Sequence, residues 1–201
     1  ASGTTQRTFA TVGVRTIALR VTDDDGNIAG ASTSLNVVAY DLSEARLVRT
    51  MGGGAGYVSS LALPADGQRL VAGYWGACIG IWRASDGLLE RTIPTTYSVQ
   101  SVALTPNGQT IISAGAGSSG INVWRLSDGQ PVRVLTGHTS EVTCVAITPD
   151  GEILVSGSYH PDNTVRVWRL SDGQLLRTLI GHTYAVYSVA VSPDGETIVS
   201  G

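Results

Sequence analysis

Cysteine is scarce in this chain, and the two that occur, Cys78 and Cys144, show no metal-type spacing. Two thiols cannot staple a chain with this much apolar sequence, so both read as buried and inert. No apolar run approaches the length of a membrane span, and the N-terminus lacks the basic-then-apolar pattern of a secretory leader. The chain therefore reads as soluble, or as one whose targeting segment has been removed. Its formal net charge of −3 provides no basic field, which argues against nucleic acid as a partner. One phenylalanine stands against 25 glycines, a balance that suits short strands and tight turns better than helices. Those glycines form no phosphate cradle: no helix follows Gly52-Gly53-Gly54 to aim its amides at an anion. No cofactor is expected.

What the sequence does contain is clearest between Gly137 and Gly181. Three blocks there alternate apolar and polar residues with the period of a half-buried strand: Val142 to Ile147, Ile153 to Ser156 and Val165 to Trp168, with a weaker fourth at Leu175 to Leu179. Between them lie Pro149-Asp150-Gly151, His160-Pro161-Asp162-Asn163 and Ser171-Asp172-Gly173, turn sequences in which proline fixes φ and glycine accepts a positive one. A single four-stranded meander of this size cannot bury both faces. It needs neighbours.

The neighbours recur along the chain. Tryptophan returns at Trp82, Trp124 and Trp168, 42 and 44 residues apart, and the Ser-Asp-Gly turn keeps step at Asp86, Asp128 and Asp172. An earlier Asp/Asn-Gly turn recurs at Asp66, Asn107, Asp150 and Asp194. A repeat of this length signals propeller blades. With Gly-His at Gly137-His138 and Gly181-His182 and Val-Trp at Val123-Trp124 and Val167-Trp168, residues 45–201 resemble a WD-repeat β-propeller. The aspartate of the family's Trp-Asp pair is arginine throughout, at Arg83, Arg125 and Arg169. The resemblance implies an all-β fold: a partial β-propeller of about three and a half four-stranded antiparallel blades across residues 52–201. A ring of seven would take roughly 300 residues, so the chain reads as an arc of a larger ring, its remaining blades among its expected partners.

Residues 1–39 fall outside the repeat and resemble the C-terminal half of a PKD domain, an immunoglobulin-like β-sandwich. The tight turn at Asp23-Asp24-Asp25 reads as a hairpin or a weak cation site, although consecutive carboxylates point in opposite directions along an extended chain. Residues 40–51 read as a linker and a lone outer strand. The PKD-like piece points to the cell exterior or surface, with the cytoplasm as the other reading.

His138, Ser156 and Asp162 invite comparison with a nucleophile triad. The family resemblance implies something else: His138, Ser156, Asp162 and Trp168 match the four positions of a buried structural hydrogen-bond network. Gly54 and Thr95 replace its histidine in the two earlier blades, and Gly76 and Ser118 its aspartate, so those blades are expected to hold their loops by packing alone.

WD-repeat propellers bind protein or peptide partners on the rim made by the loops between blades and between second and third strands. Those loops, 52–57, 74–78, 94–98, 115–120, 136–141, 158–163 and 180–185, hold Tyr57, Tyr74, Trp75, Tyr97, Tyr159 and Tyr184. These six are the expected partner-binding residues, unless their rings merely cover the blade ends. The expected function is a non-catalytic interaction scaffold. The alternatives are an adhesive or carbohydrate-facing module and a regulatory part of a larger enzyme, since bacterial arrays of this kind are often fused to catalytic domains.

Overall fold

The computed structural model describes residues 56–201 in full, and the backbone of residues 17–21, 37–41 and 46–51. All of its regular structure is β. In chain order the strands are β1 (Ile17–Val21), β2 (Val37–Asp41) and β3 (Arg46–Met51); β4 (Val58–Ala62), β5 (Arg69–Tyr74), β6 (Cys78–Arg83) and β7 (Leu89–Pro94); β8 (Ser98–Leu104), β9 (Thr110–Ala116), β10 (Ile121–Arg125) and β11 (Pro131–Leu135). Then follow β12 (Val142–Ile147), β13 (Ile153–Ser158), β14 (Val165–Arg169) and β15 (Leu175–Leu179), and lastly β16 (Val189–Val191) and β17 (Ile198–Ser200). Strands β4–β7, β8–β11 and β12–β15 form three antiparallel meanders, here units 1, 2 and 3, and β16–β17 opens a fourth. Their first strands, β4, β8, β12 and β16, adjoin in that order, so the sheets stand side by side as the blades of a partial β-propeller.

Turn chemistry sets this pattern. In the first hairpin of each unit the Asp or Asn side chain accepts the amide two residues on: Gln68 to Asp66, Gln109 to Asn107, Glu152 to Asp150 and Glu196 to Asp194. The Ser-Asp-Gly turns do the same at Leu88, Gln130 and Gln174, and their glycines take φ of 73°, 71° and 80°. The arginine in place of the family's aspartate pairs with that turn, Arg83 with Asp86 at 2.8 Å, Arg125 with Asp128 at 2.6 Å and Arg169 with Asp172 at 2.7 Å. The three tryptophans share one register: Leu70, Ile111 and Leu154 stand opposite Trp82, Trp124 and Trp168, and a bulge precedes each tryptophan on its outer side.

The core lies between sheets. Units 1 and 2 share Val71, Ile79, Ile93, Val99 and Trp124, and units 2 and 3 share Ile112, Ile121, Leu135, Leu154 and Trp168. Burying each such side chain contributes about 1.5–3 kcal/mol. The Ser-Asp-Gly turn of one unit seats on the outer strand of the unit before it. A Cβ on Gly129 would stand 2.9 Å from Arg91 Cδ, and one on Gly173 would stand 2.8 Å from Leu135 Cδ2. Leu135 is 2% exposed beneath this turn. Hydroxyls also bridge the junctions, including that between unit 3 and the fourth. Ser59 Oγ faces the carbonyls of Gly73 at 3.0 Å and of Val99 at 2.5 Å, and Thr143 Oγ1 likewise faces those of Gly157 and Val186. Val102 N–H donates to Ser60 Oγ and Val145 N–H to Ser101 Oγ.

Residues 40–51, read as a linker and a lone outer strand, include β3, which pairs with β2, and β2 pairs with β1. Tyr40 stands opposite Ala18 and Leu47 with a bulge before it, the same register that places Trp168 opposite Leu154 and Leu175. The three strands follow the second, third and fourth strands of a unit. Most of the PKD-like segment, and the Asp23–Asp25 turn, lie outside the described residues.

Candidate functional site

In each meander the turns after the first and third strands lie at one rim, and the turns after the second strand and between units lie at the other. The second rim carries the candidate residues. Beneath it, in unit 3, the structure brings His138, Ser156, Asp162 and Trp168 together. Trp168 Nε1 donates to Ser156 Oγ at 2.8 Å, Ser156 Oγ lies 2.7 Å from His138 Nε2, and His138 Nδ1 lies 3.2 Å from Asp162 Oδ1. Burial depresses the His138 pKa even though Asp162 opposes it, so the ring is neutral. Burial also works against the Asp162 carboxylate, but hydrogen bonds from Thr164 and the Thr139 amide prevail and hold its pKa far below the usual range. An ionised carboxylate only accepts, so Nδ1 carries the imidazole proton and Ser156 donates to Nε2. Ser156 is fully buried, with Trp168 covering its oxygen, so no substrate reaches it as a nucleophile. What the network does is fasten the loop before β12, where Thr139 N–H donates to Asp162 Oδ2 at 2.5 Å. In the fourth unit His182 Nε2 lies 2.8 Å from Ser200 Oγ, repeating half the arrangement.

Tyr74 and Tyr97, expected on the partner-binding rim, are buried instead, 1% and 6% exposed. They also correct the expectation that units 1 and 2 hold their loops by packing alone. In unit 2 Trp124 Nε1 donates to Ser113 Oγ at 2.7 Å, and the phenol of Tyr97, 2.6 Å from the same oxygen, takes the place of the histidine. In unit 1 Ala72 occupies the serine position, and Trp82 Nε1 donates to Tyr74 Oη at 3.1 Å. Gly80 makes room for this pair, since a Cβ there would stand 2.8 Å from Trp82 Nε1 and 3.0 Å from Tyr74 Cε2. Burial pushes the Tyr74 phenol up to about 12.

Tyr57, Trp75, Tyr159 and Tyr184 are exposed, Trp75 to 51%. Trp75 and Tyr159 occupy equivalent places after the second strands of units 1 and 3, and each amide donates across its own unit, Trp75 to Tyr57 O at 2.9 Å and Tyr159 to Glu141 O at 2.7 Å. The next unit secures these loops. Ser98 Oγ donates to Trp75 O at 2.9 Å, Gly117 N–H to Glu141 Oε1 at 2.8 Å, and Val186 N–H to Ser158 O at 3.0 Å. Tyr187 was not among the expected residues, yet it is exposed and meets Tyr159 edge-on with ring centroids 6.1 Å apart. It follows Val186 at the place where Ser59, Gln100 and Thr143 form bulges in the earlier first strands, and a bulge breaks the alternation that strand patterns rely on.

Charge is divided between the two rims. The turn rim bears Asp66, Asp86, Asp128, Asp150, Asp172 and Asp194, with Arg83, Arg125 and Arg169. Among the described residues, the loops of the aromatic rim contain no arginine, the chain has no lysine, and the carboxylates there are Glu141 and the buried Asp162. No group of three or more His, Cys, Asp or Glu side chains suited to a metal occurs among the described residues.

Comparison with known proteins agrees with this geometry. An uncharacterized WD repeat-containing protein of Synechocystis sp. is 29% identical over 142 residues, covering 70% of this chain and 40% of that protein. Protein groucho of Drosophila melanogaster is 31% identical over 116 residues, 55% of this chain and 15% of its own length. Anaphase-promoting complex subunit cdh1 of Dictyostelium discoideum is 34% identical over 90 residues, 44% and 12% respectively. The chain thus spans well under half the length of these relatives. The family model described as WD domain, G-beta repeat matches residues 45–83, 129–169 and 173–201, each match joining the outer strand of one sheet to the strands of the next, and on this ground the chain belongs to that family.

Proposed function

We propose that the chain is a non-catalytic scaffold whose aromatic rim holds a protein partner. The observation that carries this reading is the set of exposed rings, Tyr57, Trp75 and Tyr159, standing on loops fastened both within their own unit and to the next. Large rings on a rigid support bind with little loss of freedom, and tyrosine and tryptophan dominate binding hot spots. Family membership supports the same reading, and the name of the cdh1 relative places that protein in a multisubunit complex.

The test is a photocrosslinking amino acid at position 75, compared with one at position 88 on the opposite rim. A protein caught from position 75 alone is then purified, and its binding measured against the chain and its Trp75→Ala variant. Loss of that binding in the variant supports the reading. Equal capture from both positions, or binding indifferent to the variant, overturns it.

A further inference from the structure

The aromatic rim discriminates by what it withholds. The one arginine that reaches this rim, Arg166, is 13% exposed and pairs with Asp162 Oδ2 at 3.7 Å, so among the described residues no free arginine or lysine stands there to take a phosphate or an acidic segment. Of its two carboxylates, Asp162 is buried within its network and Glu141 has an oxygen engaged by Gly117 N–H, so a basic segment finds little to pair with. Several small hydroxyls are engaged as well: Ser98 with Trp75 O, Ser118 with Gly120 O, Ser140 with His160 O, Thr139 with Asp162 and Thr95 with Tyr97 O. What the rim does offer is ring faces, together with the Trp75 indole N–H and the Tyr57 phenol, neither of which makes a side-chain hydrogen bond among the described residues. Between the rings of unit 1 and those of unit 3, unit 2 contributes only small residues, Ser98 and Ala116 to Ser119.

We propose that this rim recognises an uncharged, proline-rich segment in the polyproline II conformation, laid from Trp75 across unit 2 to Tyr159, a proposal that rests on the scaffold reading above. Such a segment has no internal hydrogen bonds, presents flat pyrrolidine faces to aromatic rings and carbonyls to N–H and O–H donors, and enters binding already ordered. Its needs match what the rim offers: stacking from Trp75, Tyr57 and Tyr159, donation from the indole and the Tyr57 phenol, and no call for an unpaired charge.

The experiment exploits the exposure of Trp75, since Trp82, Trp124 and Trp168 are buried and give a constant background. A polyproline peptide of about ten residues is titrated while emission and acrylamide quenching are followed. The expected result is a saturable blue shift with protection from quenching, unchanged between low and high salt. By calorimetry, Trp75→Ala and Tyr159→Ala each weaken binding by about tenfold or more, while Leu88→Ala on the other rim does not. Absence of a shift, binding that fades with salt, or the same shift produced by a chitooligosaccharide instead of polyproline overturns the proposal. If polyproline is inert but the partner caught at position 75 still depends on Trp75, the scaffold reading stands and the proline chemistry alone fails. If neither binds, both fail.

Discussion

The phenol of Tyr97 stands 2.6 Å from the hydroxyl of Ser113, where in the next unit the imidazole of His138 stands 2.7 Å from Ser156. The two rings arrive from different points of the chain. Tyr97 lies 16 residues before its serine and His138 lies 18 before its own. The buried indole N–H of the third strand must have an acceptor, and that requirement, rather than any one side chain, is what the units share.

Tyr97→Phe removes one partner from this cluster and leaves Trp124 still bonded to Ser113. It should cost about 1–2 kcal/mol, read as a lowered midpoint of chemical unfolding. Ser113→Ala, which orphans the indole N–H, should cost more.

Two glycine substitutions separate backbone strain from crowding. Gly67 has a φ of 62° with nothing within 4 Å of a Cβ, so Gly67→Ala should cost about 1 kcal/mol. Gly173 has a φ of 80°, and its Cβ would press on the buried Leu135, so Gly173→Ala should cost about 2–4 kcal/mol.

Acid should loosen unit 3 in two stages. The folded pKa of His138 lies below its ordinary 6.5, so as the pH falls past 6.5 the unfolded chain takes up a proton that the folded chain resists, and stability declines. Asp162, depressed from 3.8, adds a second decline as the pH falls below that value. Unfolding midpoints measured against pH should show the first slope in the native chain and lose it in His138→Gln.

Alkali should act on unit 1. The Tyr74 phenol ionises near 10 when unfolded and about 12 when folded, so the stability it contributes is intact below 10 and lost as the pH rises from 10 to 12. Tyr74→Phe should flatten that slope while costing about 1–3 kcal/mol at neutral pH, because Trp82 then lacks an acceptor.

The arginines that stand beside the tryptophans should matter little. Arg169 and Asp172 are both well exposed, so Arg169→Ala should leave the unfolding midpoint almost unchanged. Asp172→Ala should lower it measurably, because Asp172 also accepts the amide of Gln174 that closes the turn.

The repeat was legible in the sequence because turns and tryptophans are read from local chemistry: proline, aspartate and glycine fix the hairpins wherever they occur. The His138 cluster was legible through the resemblance to WD repeats, whose network positions His138, Ser156, Asp162 and Trp168 match. Its variants were not, since Tyr74 and Tyr97 sit in loop-like sequence and only the third dimension shows that their rings turn inward. The sheet of β1 to β3 escaped notice for a related reason. Tyr40 stands in place of tryptophan and Ser43-Glu44-Ala45 in place of Ser-Asp-Gly, so the register persists after the landmarks have gone.

The junctions between units draw on two recurring devices, a glycine turn lying on an arginine stem between units 1 and 2 and between units 2 and 3, and a hydroxyl set between two carbonyls between units 1 and 2 and between units 3 and 4. A segment copied in frame would therefore meet a seat already shaped for it on either side. Gene duplication could lengthen such an array without inventing a single new contact, leaving selection free to alter the exposed rings alone.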